Sequence, residues 1–195
     1  MNSKLKKTLF IFTASMLAWG LLTLWVEYAG GEKSNAIGNK TAAHTAIIIY
    51  NPDPIYNFDE QVCKQFAKGL SKHNFYAKVA TVESAKKDTA QYHLYVFCAN
   101  TYNWAPDWLV KEHIETHAHL SHKNTVAITL GAGSTEQAQR ILEATINDKK
   151  AKLLGSKTYW LLRPNDESRL DENNVDVALE MAEQFGGDIG KGIKK

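Results

Sequence analysis

Hydrophobic residues follow two patterns along this chain, one unbroken and one periodic. From Thr8 to Val26 no residue is charged, and most are Leu, Phe, Ile, Ala, Trp, Met or Val. At about 1.5 Å per helical residue, this stretch is long enough to cross the hydrocarbon core of a bilayer. It is apolar on every side, whereas a helix in a soluble core has one apolar stripe. The pattern therefore predicts a transmembrane anchor over residues 8–27.

A cleaved signal peptide is the alternative interpretation of the same segment. Signal peptides have shorter apolar regions, and Glu27-Tyr28-Ala29 is a poor cleavage site. Lys4, Lys6 and Lys7 precede the segment, so the positive-inside rule predicts a cytoplasmic N-terminus and an extracytoplasmic domain. Membrane lipid is accordingly the first predicted partner.

The composition divides the rest of the chain into further segments. Residues 1–7 form a basic N-terminal flank, and residues 28–44, rich in Gly, Ser, Asn, Lys and Ala, predict a tether. Residues 45–190 have the periodicity of one folded domain, and residues 191–195 form a basic tail.

Within the domain, short apolar runs alternate with helical periodicity. Strands are predicted at 46–50, 75–82, 92–98, 125–130 and 158–162. Helices are predicted at 57–70, 108–119, 134–146 and 175–185, and a short helix or turn at 84–91. Asn57 with Glu60, and Ser134 with Gln137, have the spacing of helix-capping pairs. This alternation predicts an α/β fold with a doubly wound, five-stranded parallel sheet in the flavodoxin-like order 2-1-3-4-5.

The composition also excludes several classes of function. The chain has 195 residues and is 44% hydrophobic, which is inconsistent with a disordered chain. Beyond the three N-terminal lysines, 20 basic and 21 acidic residues remain, so the charge gives no reason to expect a nucleic-acid partner. Two cysteines cannot form a four-thiolate metal site. No Walker loop or nucleophile elbow is present.

Three loops follow the predicted strands on the side where doubly wound sheets bind ligands, namely 51–57, 99–106 and 131–134. In the second loop, Tyr102 and Trp104 could supply aromatic faces to a flat ring. The glycines of the third loop would let the backbone approach such a ring closely. The aromatic residues could equally cover the open end of the sheet, and both interpretations remain.

Three segments carry a resemblance to a known family. They are Ala46-Ile47-Ile48-Ile49-Tyr50 with Asn57 and a helix ending Ala67-Lys68-Gly69-Leu70, then Thr101-Tyr102-Asn103-Trp104-Ala105-Pro106, and Leu130-Gly131-Ala132-Gly133-Ser134. Over roughly residues 45–190 the sequence thus resembles the flavodoxin and NADPH-dependent FMN reductase superfamily. The resemblance implies an FMN cofactor, electron or hydride transfer and a redox or quinone partner, without a catalytic side chain. The cofactor-binding residues that it implies are Asn51, Asn57, Thr101, Tyr102, Asn103, Trp104, Gly131, Ala132 and Gly133.

The loop that would hold the FMN phosphate departs from the family pattern. Flavodoxins use a Ser/Thr-x-Thr-Gly-x-Thr type of stretch, whereas residues 51–58 contain no Ser or Thr and include two prolines, which lack N–H donors. Three acidic residues place negative charge where the phosphate would lie: Asp53, Asp59 and Glu60. Two functions therefore remain open, an FMN-dependent oxidoreductase or electron carrier and a flavin-free binding or assembly module.

Histidines and cysteines give two further candidate sites. Four histidines lie close together in sequence: His113, His117, His119 and His122. The i, i+4 pair could chelate zinc, but no further ligand is identifiable, and a solvated helix face is the preferred interpretation. No metal site is therefore predicted. Cys63 and Cys98 could form a disulfide or remain buried thiols.

Overall fold

The computed structural model describes residues 3–28, 30–116 and 120–193. The helices are α1 (Ser3–Tyr28), α2 (Phe58–Ser71), α3 (Val82–Lys86), α4 (Trp108–Thr116), α5 (Glu136–Asp148) and α6 (Asn174–Ile193). The strands are β1 (Ser34–Ile37), β2 (His44–Tyr50), β3 (Phe75–Thr81), β4 (Leu94–Tyr102), β5 (Ala105–Pro106), β6 (Asn124–Gly131) and β7 (Lys152–Trp160).

Five parallel strands form the centre of the sheet in the order β3-β2-β4-β6-β7. This is the predicted order 2-1-3-4-5, so the flavodoxin-like α/β fold is confirmed. The predicted number of strands is wrong, because β1 pairs antiparallel with the outer edge of β3 and the two-residue β5 pairs with β4. β1 is mostly exposed and β5 is very short, so neither carries the apolar run that marks a buried strand.

Helices cover both faces of the sheet. On one face α2 and α6 pack on alternate residues of the central strands, including Ile48 and Val96. On the other face α3, α4 and α5 enclose Ile49, Tyr95 and Phe97. Continuous apolar runs in β2 and β4 follow from this double burial, which explains why these strands were recognisable.

Several predicted boundaries are wrong at the polar ends of elements. β7 runs from Lys152 to Trp160, whereas the predicted strand is 158–162. Its first residues were missed because β7 is the outermost strand, where exposed polar residues interrupt the apolar pattern. β4 continues to Tyr102, beyond the predicted 92–98. α3 is shorter than the predicted 84–91, because Asp88 turns the chain and accepts the N–H of Ala90 at 2.8 Å.

Both predicted capping pairs are wrong. Asn57 precedes α2 in a left-handed conformation with a φ of 51°, and its side chain makes no capping hydrogen bond. Thr135 rather than Ser134 precedes α5, and its hydroxyl accepts the indole N–H of Trp160 at 2.8 Å. Asn57 thus fails as a cap because of its backbone conformation, and the Thr135 hydroxyl is already bonded to Trp160.

The tether prediction is wrong for β1, which lies inside the range 28–44. The approach to β1 is also fixed, since Lys33 donates its N–H to the Thr81 hydroxyl at 3.1 Å and its carbonyl accepts the Thr81 N–H at 3.0 Å. A Cβ on Gly30 would lie only 2.6 Å from the Asn51 side-chain oxygen, so the chain runs closely past the end of β2. The folded domain thus begins within a few residues of α1.

α1 and α6 form the two ends of the described chain, and the sequence predictions for them are an anchor and a basic tail. α1 is long and apolar enough to cross a membrane over Ser3–Val26, and almost all of its side chains are exposed. A membrane span and a signal sequence share these properties. At the other end α6 continues to Ile193, so the predicted basic tail is helical over residues 191–193. Lys194 and Lys195 lie outside the described residues.

Candidate binding cleft at the carboxyl ends of the strands

The three loops that topology singles out lie around one cleft of about 320 Å³. The loops follow β2, β4 and β6, and α1 forms a further wall. A shallower depression of about 490 Å³ also adjoins Trp104 and Ser134. Because this is the switch point of the sheet, where doubly wound folds bind ligands, the cleft is the candidate site.

The loop after β4 supplies aromatic and amide groups. Tyr102 is half-buried and donates its hydroxyl to Asp53 Oδ2 at 3.3 Å, and burial beside that carboxylate raises the pKa of Tyr102. Asn103 and Trp104 have left-handed backbones, with φ values of 50° and 62°. Their tight turn leaves the Trp104 side chain 62% exposed and directs Asn103 Oδ1 to the indole N–H of Trp19 at 3.2 Å.

The loop after β6 forms the opposite wall of the cleft. A Cβ on Gly131 would lie 2.6 Å from Thr135 Cγ2, so the Thr135 side chain would have to shift to admit a larger residue. A Cβ on Gly133 would make an ordinary contact with Arg163 Cβ at 3.7 Å, and the carbonyl of Ala132 accepts the N–H of Arg163 at 3.2 Å. The loop is therefore held in place by its own contacts before any ligand is present.

Thr101 lines the cleft and has an unused hydrogen-bonding group. Its Oγ1 is buried and has no hydrogen-bond partner. Buried hydroxyls are normally paired, because an unpaired one loses its bonds to water without replacement. Thr125, near the amino end of β6, has a buried hydroxyl in the same state but does not line the cleft.

The loop after β2 uses its own backbone donors internally. Ile55 and Tyr56 donate their N–H groups to Asp53 Oδ1 at 2.7 and 3.2 Å, and Asn57 donates to the Asp53 carbonyl at 3.3 Å. Asp53 donates its own N–H to Asp59 Oδ2 at 2.7 Å. Since residues 52 and 54 are prolines, every N–H from residue 52 to residue 57 is engaged within the loop.

Asp59 holds this loop from inside the protein. Its fully buried carboxylate also accepts the Asn100 amide at 3.0 Å and the Glu60 N–H at 2.7 Å. Burial raises the pKa of Asp59 to about 6, although the hydrogen bonds it accepts act in the opposite direction. Asp53 and Asp59 together thus take the place that a bound anion would occupy at this helix start.

Two of the predicted cofactor-binding residues have structural contacts instead of facing the cleft. The amide of Asn51 is buried and donates to Asp107 Oδ2 at 2.9 Å. The carbonyl of Asn57 accepts the side-chain amide of Gln61 at 3.0 Å, next to the start of α2. Both residues therefore stabilise the loop and its neighbours.

This arrangement suits only one part of the FMN molecule. The cleft offers a flat ring the aromatic side chain of Tyr102 and has the buried, unpartnered hydroxyl of Thr101 in its wall, while Trp104 lies in the adjoining depression. A phosphate dianion would find no free N–H between residues 52 and 57, and it would lie beside the carboxylates of Asp53 and Asp59. The residues present therefore suit the ring part of FMN and do not suit its phosphate.

Sequence reasoning missed the contribution of α1 to the cleft. Trp19 and Thr23 line it together with residues more than 25 positions away in sequence. The uniform apolarity of α1 gave no signal that one side of it contacts the domain. Leu161, which follows β7, also lines the cleft and was not predicted.

The other candidate sites find no support among residues 3–28, 30–116 and 120–193. This part of the chain contains no group of three or more His, Cys, Asp or Glu side chains placed to hold a metal ion. His113 is buried near Phe97, and two of the four clustered histidines, His117 and His119, lie outside the described residues. Cys63 and Cys98 are buried free thiols.

Comparison with solved structures shows what this architecture is similar to. An archaeal flavodoxin matches with a TM-score of 0.54 and 11% identity, over 77% of this chain and 99% of that one. A WrbA-like flavodoxin from Agrobacterium tumefaciens matches with a TM-score of 0.57 and 13% identity, over 78% and 98%. A short-chain flavodoxin associated with a bacterial microcompartment gives 0.57 and 16%, over 77% and 99%.

At the level of sequence, no protein-family model and no curated protein matches this chain. Identities of 11–16% with the structures above establish shape rather than activity. The shared sheet order, the helices on both faces and the match over nearly the full length of three flavodoxins establish the fold. The chain therefore has a flavodoxin-like fold, preceded by an apolar helix long enough to cross a membrane.

Proposed function

We propose that this chain is a single-pass membrane protein whose flavodoxin-like domain binds a planar, uncharged ring compound that carries no phosphate. One observation carries the proposal: Asp53 and Asp59 engage the N–H groups that a phosphate would need, while the ring side of the cleft is retained. The domain then serves as a binding or assembly module, and no side chain acts as an acid or base.

The geometry of the cleft favours a ring with carbonyl oxygens at its edge. The Thr101 hydroxyl lacks a partner and could donate to such an oxygen. Tyr102 is held by Asp53 and offers its ring, and Trp104 offers an exposed aromatic face. A quinone has these properties and no charge, so a quinone-type ring is the proposed ligand class.

The proposed location follows from the flanks of α1. Three lysines precede the apolar segment, which favours a cytoplasmic N-terminus and a domain on the opposite side. An anchored domain stays next to the membrane, where lipid-soluble rings are concentrated. Membrane lipid and a quinone-type compound are therefore the proposed partners.

An FMN-dependent oxidoreductase or electron carrier is the second candidate. It is favoured by the aromatic and glycine-containing loops at the switch point and by structural neighbours that are named as flavodoxins. FMN would supply the electron or hydride transfer, with the protein holding the ring. The loop from Asn51 to Asn57 weighs against it, because a phosphate there would meet two carboxylates.

Ring binding is tested on the full chain purified from membranes in detergent. The protein is expected to be colourless as purified and to bind riboflavin and a short-chain benzoquinone, measured by fluorescence quenching. FMN is expected to bind no more tightly than riboflavin, because its phosphate faces Asp53. Thr101→Val is expected to weaken ring binding severalfold, since it removes the free hydroxyl at nearly constant volume.

Thr125→Val is the matched control, because it removes an equally buried and unpartnered hydroxyl outside the cleft. It is expected to leave ring binding unchanged. Protein that is yellow as purified, or that binds FMN at least tenfold more tightly than riboflavin (~1.4 kcal/mol), would establish the FMN candidate instead. Absence of binding to all three rings would refute both candidates.

A further inference from the structure

The exposed apolar side chains of the domain are concentrated at one end. Outside α1, every exposed large hydrophobic residue that the structure describes lies in a loop leaving the carboxyl end of a parallel strand, except Trp108, which is the first residue of the helix after such a loop. Their exposed fractions range from 54% to 82%. We call these residues the apolar rim: Ile55, Tyr56, Trp104, Trp108, Leu162 and Leu170.

The apolar rim lies beside the C-terminal half of α1. Trp19 donates its indole N–H to Asn103, next to Trp104, and Thr23 lines the cleft between the loops of the rim. The link from α1 to β1 spans residues 29–33 and can extend at most about 17 Å. Because Gly30 runs against Asn51 and Lys33 pairs with Thr81, the link holds this end of the sheet toward α1.

The chemistry of the rim matches the surface of a bilayer. Tryptophan and tyrosine prefer the interface between hydrocarbon and water, where their rings are apolar and their N–H or O–H groups stay hydrated. The nearby cations are already paired within the protein, Arg163 with Glu136 at 3.1 Å and Lys111 with Glu115. Attraction to lipid would therefore depend on apolar insertion rather than on anionic headgroups.

We propose that the apolar rim rests in the lipid interface, in the leaflet that contains the C-terminal end of α1, so that the cleft opens toward the membrane. This inference rests on the membrane anchoring proposed above. Continuity with α1 is what favours lipid over a protein partner, because the rim adjoins Trp19 and Thr23 in the C-terminal half of the helix proposed to span the membrane. A lipid-soluble ring could then enter the cleft without crossing water.

Spin labels on the full chain in phosphatidylcholine vesicles test this orientation. Cys63 and Cys98 are buried, so a cysteine introduced at Ile55 or Trp108 is labelled selectively, with the unlabelled wild type as the check. Neither position lines the cleft. We expect labels at both positions to collide severalfold more often with oxygen relative to a water-soluble nickel chelate than a label at Lys152→Cys, the exposed control at the amino end of β7.

A label at Leu17→Cys, within α1, separates the possible failures. If the Leu17 label lies in lipid while those at Ile55 and Trp108 lie in water, the rim proposal is overturned and the anchor stands. If the Leu17 label itself lies in water, anchoring fails as well. Labels at the rim that are shielded from both oxygen and nickel would show a protein partner or a second copy, which also overturns the proposal.

A further variant shows whether the native side chains drive insertion. The double substitution Ile55→Lys with Trp108→Lys places two charges on the rim without altering the cleft. A label at Leu170→Cys in this background is expected to shift toward water relative to the same label in the otherwise native protein. An unchanged collision ratio would contradict insertion by these side chains.

Discussion

Asp53 and Asp59 show how two side chains alter the ligand that a fold can accept. In a phosphate-binding loop the N–H groups remain unpaired until the anion arrives. Here both carboxylates satisfy those groups permanently, so the loop is ordered without a ligand. The loop therefore lies at the switch point of the sheet but has no unpaired N–H group between residues 52 and 57 for an anion.

The buried Asp59 predicts a particular pH dependence of stability. Its pKa is about 6 in the folded protein, compared with an ordinary value of 3.8, because burial disfavours the charged form. The folded protein therefore binds the proton more tightly, and this contribution to stability is present below pH 3.8 and lost as the pH rises through 6. The difference corresponds to at most ~3 kcal/mol.

Thermal unfolding of the wild type and Asp59→Asn in detergent, from pH 4 to pH 8, measures this contribution. The free energy of unfolding of the wild type, relative to Asp59→Asn, should fall as the pH rises from 4 to 6. Asp166→Asn is the control, because hydrogen bonds from Ser168 lower the pKa of that exposed carboxyl. Its contribution to stability changes only below pH 3.8, so its difference from the wild type should stay nearly constant from pH 4 to pH 8. If the difference in free energy of unfolding between the wild type and Asp59→Asn did not change with pH, the role given to Asp59 would be contradicted.

At the scale of elements, the packing of α6 on α2 depends on glycine. A Cβ on Gly186 would lie 2.1 Å from the backbone oxygen of Phe66, and one on Gly69 would lie 2.0 Å from that of Glu183. The two helix backbones therefore approach each other more closely than any larger residue permits. Gly186 is thus required by the close packing of α6 on α2.

Gly186→Ala is accordingly expected to destabilise the protein by roughly 1–3 kcal/mol, the usual cost of overpacking. Gly192→Ala is its matched control in the same helix, because a Cβ there meets nothing within 4 Å. The control should be neutral, or stabilising by up to ~1 kcal/mol, since alanine favours helix. Thermal unfolding distinguishes them, and equal melting temperatures for the two variants would refute the close-packing argument.

The same elements show how far the sequence could predict the fold. β2 and β4 were found because they are buried on both faces, and their order followed from strict strand–helix alternation. β1 and the first half of β7 were missed because edge strands carry polar, exposed residues. Topology alone brought the three loops to one place, whereas the contact of Trp19 with Asn103 joins residues 84 positions apart without any sequence pattern.

At the scale of the whole molecule, α1 and the domain are joined closely. β1 extends the sheet on the side of β3, and its first residues follow α1 after a short link. A flexible tether would allow the domain to tumble, whereas this short link limits which end of the sheet lies toward α1. In the proposed membrane protein, the charge at the N-terminus would then determine on which side of the membrane the domain lies.

This orientation can be tested with two cysteines at opposite ends of the molecule. In right-side-out membrane vesicles, a membrane-impermeant maleimide should label Lys152→Cys but not Ser3→Cys, and in inverted vesicles the pattern should reverse. Replacing Lys4, Lys6 and Lys7 with glutamate removes the positive charge that favours the proposed cytoplasmic N-terminus, so a fraction of the molecules should then insert in the opposite direction. Labelling of Lys152→Cys only in inverted vesicles would place the domain in the cytoplasm, and the cleft would then face the cytoplasmic leaflet.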